Sequence, residues 1–521
     1  MSAALQKQLD QLVRNGQAAL LKGILHGIEK EGLRVDAKGL LSQTEHPRAL
    51  GAALTHSYIT TDYSEALLEY ITPVFKRSED ALTFLADLHR FGYGPLGDEL
   101  IWCTSMPCDI PDEESIPIAH YGSSNVGQLK HVYRTGLKYR YGKMMQTIAG
   151  IHYNFSLPEA LWPALQEQQQ NRDSLQDFRS EQYFRLIRNF RRYGWILLYL
   201  FGASPALCSS FLKGRSHQLE TLGEDTLYLP YATSLRMSDL GYSNKAQSSL
   251  GICFNHLKTY TASLHRAIHT PYERYDAIGL KVDGEYRQLN SNILQIENEY
   301  YSDIRPKRVA HSGEKPLHAL HTRGVEYVEI RNTDINPLLP LGIDQQQADF
   351  MDAFLVTCLL AGDELIDDDE CERISENLKR VVTRGREPGL ALQCSDSERS
   401  LAQWGQEILD MVSLTATVLD KNEHGSPFSD AVAAQRLKLD DPALTPSAQI
   451  LAQLLEQKIS HSEFSLAQSR AHRETLLKTP LSEKRQAYFS ELTGSSLNDQ
   501  ARIEAEDSLD FDHYLADYLA Q

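Results

Sequence analysis

The sequence predicts an α+β fold, with strands and helices mixed through the first two thirds of the chain and helices thereafter. Three observations carry this. Short runs of alternating apolar and polar residues recur at 28–35, 67–72, 151–156, 294–300 and 325–332, the period of half-exposed antiparallel strands. Helical spacing fills the stretches between them. From about Phe350 onward the helical period dominates.

The helices carry their own signals. Ser78 reads as an N-cap, with Glu79 and Asp80 placed to complement the helix dipole and Leu82, Leu85 and Leu88 forming the apolar stripe. Thr445-Pro446 is a helix start with proline at the first helical position, followed by an apolar face of Ile450, Leu451, Leu454 and Leu455. The acidic run 367–370 reads as solvated surface. No chemistry stands out after about residue 345. The chain therefore divides into a region that holds the candidate chemistry, 1–345, and a helical supporting region, 346–521, within the same compact unit or beside it.

Composition narrows the function. With 521 residues and 42% hydrophobic content the chain can bury a large core. A formal net charge of −18 argues against nucleic acid or an anionic membrane as main partner. The first 21 residues lack the apolar core of a signal peptide, and the apolar run 194–208 is too short to span a membrane and contains Pro205, so it reads as buried core. Seven cysteines without CxxC pairs suit reduced thiols and a cytoplasmic location.

The strands carry carboxylates in a pattern. Residues i and i+2 of a strand share a face, so Glu29 and Glu31 point one way and Ile28 and Lys30 the other. By the same parity Val328 and Ile330 fit a core face, and Tyr327, Glu329 and Arg331 the opposite one. His152 and Asn154 alternate with Ile151, Tyr153 and Phe155, while Asp62, Glu65 and Glu69 lie around the second strand. Each strand alone reads more simply as an ordinary half-exposed one. Together they pose an electrostatic problem. Two carboxylates about 7 Å apart repel by about 2 kcal/mol at an effective dielectric near 20. A cluster survives by protonation, by pairing with cations, or by binding hard metal ions such as Mg²⁺ or Mn²⁺.

Basic residues gather elsewhere. Residues 115–158 contain no Asp between Ser115 and Pro158, and no Glu, yet hold Lys130, Arg134, Lys138, Arg140 and Lys143 among tyrosines. A second group is Arg305-Pro306-Lys307-Arg308. In an acidic chain these suit small anions, phosphate or carboxylate, as well as a plain solvated face. Gly92-Tyr93-Gly94-Pro95-Leu96-Gly97 matches GxGxxG but follows a helix and contains proline, so it marks no dinucleotide site; no P-loop, HExxH or GxSxG occurs.

These segments resemble one family. Gly27-Ile28-Glu29-Lys30-Glu31, Thr61-Asp62 with Glu65 and Leu68-Glu69, and Gly150-Ile151-His152-Tyr153-Asn154 are similar to glutamate–cysteine ligases of the bacterial single-function type. So are the segment from Ser234 through Arg236 to Tyr242, Gln295-Ile296-Glu297-Asn298, Ile304-Arg305-Pro306-Lys307-Arg308 and Glu326-Tyr327-Val328-Glu329-Ile330-Arg331. The match runs in order from about residue 20 to 345. Gly32, where some members carry Thr, is a departure that touches no expected ligand.

The resemblance implies a glutamine-synthetase-like curved sheet forming a funnel, with Mg²⁺ between sheet carboxylates and ATP phosphates. It implies metal roles for Glu29, Glu31, Asp62, Glu69, His152 and Glu329, glutamate binding by Arg236, and a cysteine pocket of Tyr133, Leu137, Tyr242 and Tyr301. Arg331 is expected at the transferring phosphoryl group, and Arg305 and Arg308 at phosphate. L-glutamate, L-cysteine and ATP are the expected substrates, γ-glutamylcysteine the product, and glutathione a product-like inhibitor. The alternatives are another glutamate–amine ligase on the same fold and a non-catalytic nucleotide- or metal-binding protein.

Overall fold

The computed structural model describes residues 2–240, 250–311, 314–395 and 397–520. Its centre is a seven-stranded, antiparallel-paired sheet: β1 (Leu25–Val35), β2 (Ile59–Thr61), β3 (Leu67–Ile71), β4 (Leu100–Ile101), β5 (Ile151–Ser156), β6 (Ile304–Lys307) and β7 (Tyr327–Thr333). Their order is β6-β7-β5-β1-β3-β2, with β4 pairing the end of β1. The long strand β1 therefore sits at the middle, paired with β3 on one side and β5 on the other.

The back of the sheet is apolar for the reason the parity suggests. Ile28, Leu68, Ile151, Tyr153, Phe155, Val328 and Ile330 are all buried. They belong to one core cluster that runs from Leu5 to Phe489. A helix at Gln345–Leu360, buried at every position from Gln347 to Leu360, lies within that core. Strand and helix are tied by a buried polar network: His26 Nε2 stands 2.7 Å from Asp352 Oδ2, and Tyr153 Oη donates to Asp352 Oδ1 at 2.9 Å. Lys30, also on the back, stands 3.0 Å from His89 Nε2, and burial pulls its ammonium down to about 7.

The run 194–208 is core, as its composition implies: a fully buried helix at Trp195–Phe201 followed by a strand at Ala206–Cys208. Among the described residues no helix is long and apolar enough to cross a membrane. Thr445 caps the helix Pro446–Gln457 by accepting from the Ala448 N–H.

Two expectations need correction. Residues 294–300 form no strand; they are a loop ending in a 3-10 turn at Glu297–Glu299. The Gln295 N–H is taken by the Glu299 carboxylate at 2.6 Å and its carbonyl by Asn290 Nδ2 at 2.9 Å, so the backbone groups a strand ladder would use are spent on side chains. Ser78 is the first helical residue and not the cap; its hydroxyl accepts from Gln345 Nε2 at 2.7 Å. The acidic run 367–370 lies at the surface as expected, Asp367, Asp368 and Asp369 being exposed, and it also caps and clamps. Asp367 caps the helix Asp368–Arg384 through the Glu370 N–H at 2.7 Å, and Glu370 grips Arg192 through two bonds of 2.7 and 2.9 Å.

Candidate active site

The strand register brings the acidic residues together. Residues directly opposite one another in antiparallel strands share a face. Glu31 is opposite Glu69, Glu29 opposite His152, Asn154 opposite Glu329, and Glu329 opposite Arg305. These pairs form one continuous polar band across β3, β1, β5, β7 and β6, on the face away from the core.

His152 is the hub. Its Nδ1 lies 3.0 Å from Glu29 and 3.7 Å from Glu329, and its Nε2 lies 3.8 Å from Glu31. Two sets of ligand atoms have all their members within 4.8 Å of one another: Glu29, His152 and Glu329, and Glu31, Glu69 and His152. Asn154 Nδ2 donates to Glu29 at 2.8 Å, and the Gly150 N–H donates to Glu31 at 2.7 Å. Asp62 lines the adjoining cavity but falls outside both sets.

The charges are unevenly compensated. Burial opposes ionisation of Glu329, yet Lys307, Arg331, His152 and Arg305 together hold it well below the usual carboxylate range. Burial likewise opposes Glu29, but the His152 hydrogen bond and the charges of His152 and Lys307 bring it below its ordinary value. Burial, followed by the charges of Glu29, Asp62 and Glu31, pushes Glu69 well above. Burial and the Asp62 charge also raise Glu31. Glu329 Oε2 is buried without a hydrogen bond and faces Arg331 Nη1 at 3.3 Å. Such a set, with Glu31 and Glu69 short of positive charge beside His152, fits hard divalent cations with oxygen ligands.

Arg331 Nη1 lies 3.3 Å from Glu329 and 3.4 Å from His152, at the edge of the cavity. Tyr133, Leu137, Tyr301 and Arg305 line the same cavity. Tyr133 and Leu137 come from the helix Asn125–Tyr141, hereafter the pocket helix. Tyr242 lies outside the described residues. Arg236 is fully buried behind the wall: Nη2 donates to the Arg331 carbonyl at 2.9 Å, and Nη1 is 3.7 Å from Asp334. Gly150 makes room for it, since a Cβ there would stand 2.1 Å from Arg236 Nη2.

Arg308 is not brought to the cavity. It follows the end of β6, and its guanidinium turns to Glu326 at 3.5 Å and to the Arg323 carbonyl at 3.1 Å. Lys307 takes the inward place, 3.5 Å from Glu329. The alternation Arg305-Pro306-Lys307 carried that signal, because Arg305 and Lys307 share a face. Glu65 is also turned away; its carboxylate accepts from the His46 and His120 N–H groups, both at 2.9 Å. The cavity further includes Tyr63, Arg134, Gln146 and Glu299, which lie on loops or on a helix without strand parity to expose them.

An antiparallel sheet that sets an acidic, histidine-centred face beside arginines and an aromatic-walled cavity defines the glutamine-synthetase-like class of carboxylate–amine ligases. Comparison narrows the class. The chain belongs to the glutamate–cysteine ligase family, whose model matches residues 9–381. A glutamate–cysteine ligase of Pseudomonas putida (strain W619) is 54% identical over 520 residues, covering 100% of this chain and 99% of the relative. The glutamate–cysteine ligase of Francisella tularensis, solved in complex with AMP, superposes with a TM-score of 0.90 at 38% identity, over 96% of this chain and 98% of that one. A bifunctional glutathione synthetase of Pasteurella multocida gives a TM-score of 0.73 at 25% identity, over 93% of this chain and 58% of that one.

Proposed function

We propose that this chain joins the γ-carboxylate of L-glutamate to the amine of L-cysteine at the expense of ATP, giving γ-glutamylcysteine, ADP and phosphate. The observation that carries the reading is the convergence of two carboxylate–histidine groups, Arg331 and an aromatic-walled cavity at one place on the sheet. Membership of the family and the AMP-bound relative support ATP as the co-substrate.

Glu29, His152 and Glu329 on one side, and Glu31, Glu69 and His152 on the other, would hold Mg²⁺, or Mn²⁺ in its place, with Asp62 alongside. When bound, these ions neutralise charge between two anionic reactants. The protein's own residues then position and polarise. An oxygen of the glutamate γ-carboxylate attacks the γ-phosphorus of ATP, and ADP leaves. Arg331, preset beside Glu329, stabilises charge on the transferring phosphoryl group, with Arg305 behind it. Arg236, fixed through the Arg331 carbonyl and Asp334, supports the glutamate end. The neutral amine of cysteine attacks the acyl carbon of γ-glutamyl phosphate, phosphate departs, and the nitrogen gives up a proton. Tyr133, Leu137, Tyr242 and Tyr301 hold the cysteine and exclude water from the acyl phosphate. Glutathione, which contains the product, would compete for the same cavity. Seven unpaired cysteines support a cytoplasmic location.

The test is ADP release with ATP, Mg²⁺ and glutamate fixed and the amine varied. Release that requires both glutamate and cysteine is expected. A higher rate with ammonia than with cysteine would make the chain another glutamate–amine ligase. Nucleotide binding without glutamate-dependent release would make it a non-catalytic binder.

A further inference from the structure

The pocket helix has two working faces. One carries Tyr133, Arg134, Leu137 and Tyr141 to the cavity. The other carries Leu129 and Val132 into a small cluster, distinct from the main core, with Leu289 and with Leu515 of the terminal helix Phe511–Ala520. Tyr133 belongs to both faces, since it lines the cavity and also packs on that cluster. The chain's last turns therefore press on the back of the element that presents the proposed cysteine pocket.

The same stretch also completes the start of the pocket helix. Ser124 caps it through the Gly127 N–H. The flanking Ser123 N–H is taken by Glu504 at 2.9 Å and the Asn125 N–H by Asp507, while Asn125 Nδ2 donates to the Leu509 carbonyl at 2.9 Å. A helix N-terminus has unsatisfied N–H groups and a partial positive charge, so two carboxylates there satisfy both. The approach is close: at Gly122 a Cβ would lie 2.2 Å from Glu504 and 2.3 Å from Gln500. A second connection runs through the neighbouring loop. Asp512 holds Lys281 at 2.9 Å and the Tyr286 hydroxyl at 2.6 Å, and further along that loop Gln295 Nε2 donates to the Tyr133 carbonyl at 3.1 Å.

We infer that residues 504–519 are a brace that positions the pocket helix and so sets affinity for the amine substrate, with Glu504, Asp507 and Leu515 as its positioning residues. The inference rests on the proposed function, which gives the pocket to cysteine. It separates the two halves of the site. Glu29, Glu31, Glu69, His152, Glu329 and Arg331 stand on sheet strands anchored in the main core, whereas the brace meets a satellite cluster; Asp62, just past β2, is tied to the pocket helix, its carbonyl accepting from Arg134. Terminal segments with few buried contacts open locally at less cost than a core does.

The test uses full-length Leu515→Ala and the double variant Glu504→Gln/Asp507→Asn. ADP release is measured with cysteine, glutamate and ATP varied in turn, and amide hydrogen exchange is followed across residues 125–141. The expected result is a rise of about tenfold in the KM for cysteine, equivalent to about 1.4 kcal/mol of lost binding. The kcat and the KM for ATP should stay within about twofold, less than the 1.4 kcal/mol that a tenfold change represents. Exchange should quicken in the pocket helix and not in β1 or β5, and Leu515→Met should restore the KM. Unchanged KM for cysteine with unchanged exchange, or all kinetic constants moving together, overturns the brace. If Leu515→Ala does not fold, the carboxylate double variant is read by the same criteria. If the wild-type chain does not use cysteine, the proposed function fails, and the exchange comparison still decides whether the brace exists.

Discussion

Glu329 is the side chain at which charge and shape are most cleanly separated by substitution. It is buried, held ionised by Lys307, Arg331, His152 and Arg305, and shared between the candidate metal group and the arginine. Glu329→Gln keeps the volume and removes the charge. It is expected to keep the circular dichroism spectrum of the wild type and to lose ADP release; a variant with near wild-type turnover would remove Glu329 from the metal group. In the proposed reaction Arg331 acts as a preorganised charge donor, and losing one such donor typically costs about 10²–10³ in kcat. Arg331→Ala should therefore lower kcat by that order while the KM for cysteine moves little, as steady-state kinetics would reveal. Gly150 is a third point of leverage. A Cβ there meets Arg236 Nη2 at 2.1 Å, so Gly150→Ala should push Arg236 aside and raise the KM for glutamate more than that for ATP.

At the scale of elements, β1 is legible from its residues alone. Alternation sends Glu29 and Glu31 to one face and Ile28 and Lys30 to the other, and the strand does this over eleven residues. Its fastening to the core helix was not legible, because His26 and Asp352 are 326 positions apart. That link makes stability depend on pH. Burial opposes the charged imidazole, but the charge and hydrogen bond of Asp352, helped by the Phe75 backbone and Asp349, leave the His26 pKa raised. Tyr153, donating to Asp352, also faces the pair. A raised folded-state pKa means stabilisation that is complete below the unfolded value of about 6.5 and is lost as pH rises through the folded value. Thermal melts should show the wild type losing its advantage over His26→Gln as pH rises above that point. A difference that is constant with pH would show that folding does not shift the His26 pKa.

At the scale of the whole molecule, the proposed reaction asks the cysteine thiol to fill space and the amine to react. A pocket with an apolar wall discriminates weakly against near-isosteres, by about 10–200-fold for one methylene-sized change. L-2-aminobutyrate, with a methyl in place of the thiol, should therefore be a substrate weaker than cysteine by no more than roughly that range. Glycine, which leaves the wall uncovered, should be poorer, and D-amino acids, which misdirect the amine, poorer still. ADP release with each amine decides it. An inert 2-aminobutyrate beside an active cysteine would give the thiol a chemical role.

What the sequence by itself determined is the set of side chains that face the same way along each strand, because alternation is a property of the local backbone. It also held enough ordered motifs to place the chain in its family. Only the tertiary structure decided how those faces register. It made His152 the common neighbour of Glu29, Glu31 and Glu329, placed Lys307 inward and left Arg308 at Glu326. It committed Glu65 to two loop amides and laid the C-terminal helix against the back of the pocket helix. These outcomes depend on pairing between strands, and on contacts between segments hundreds of residues apart. No local period encodes such contacts; they are settled when the chain closes on its main core and the smaller clusters beside it.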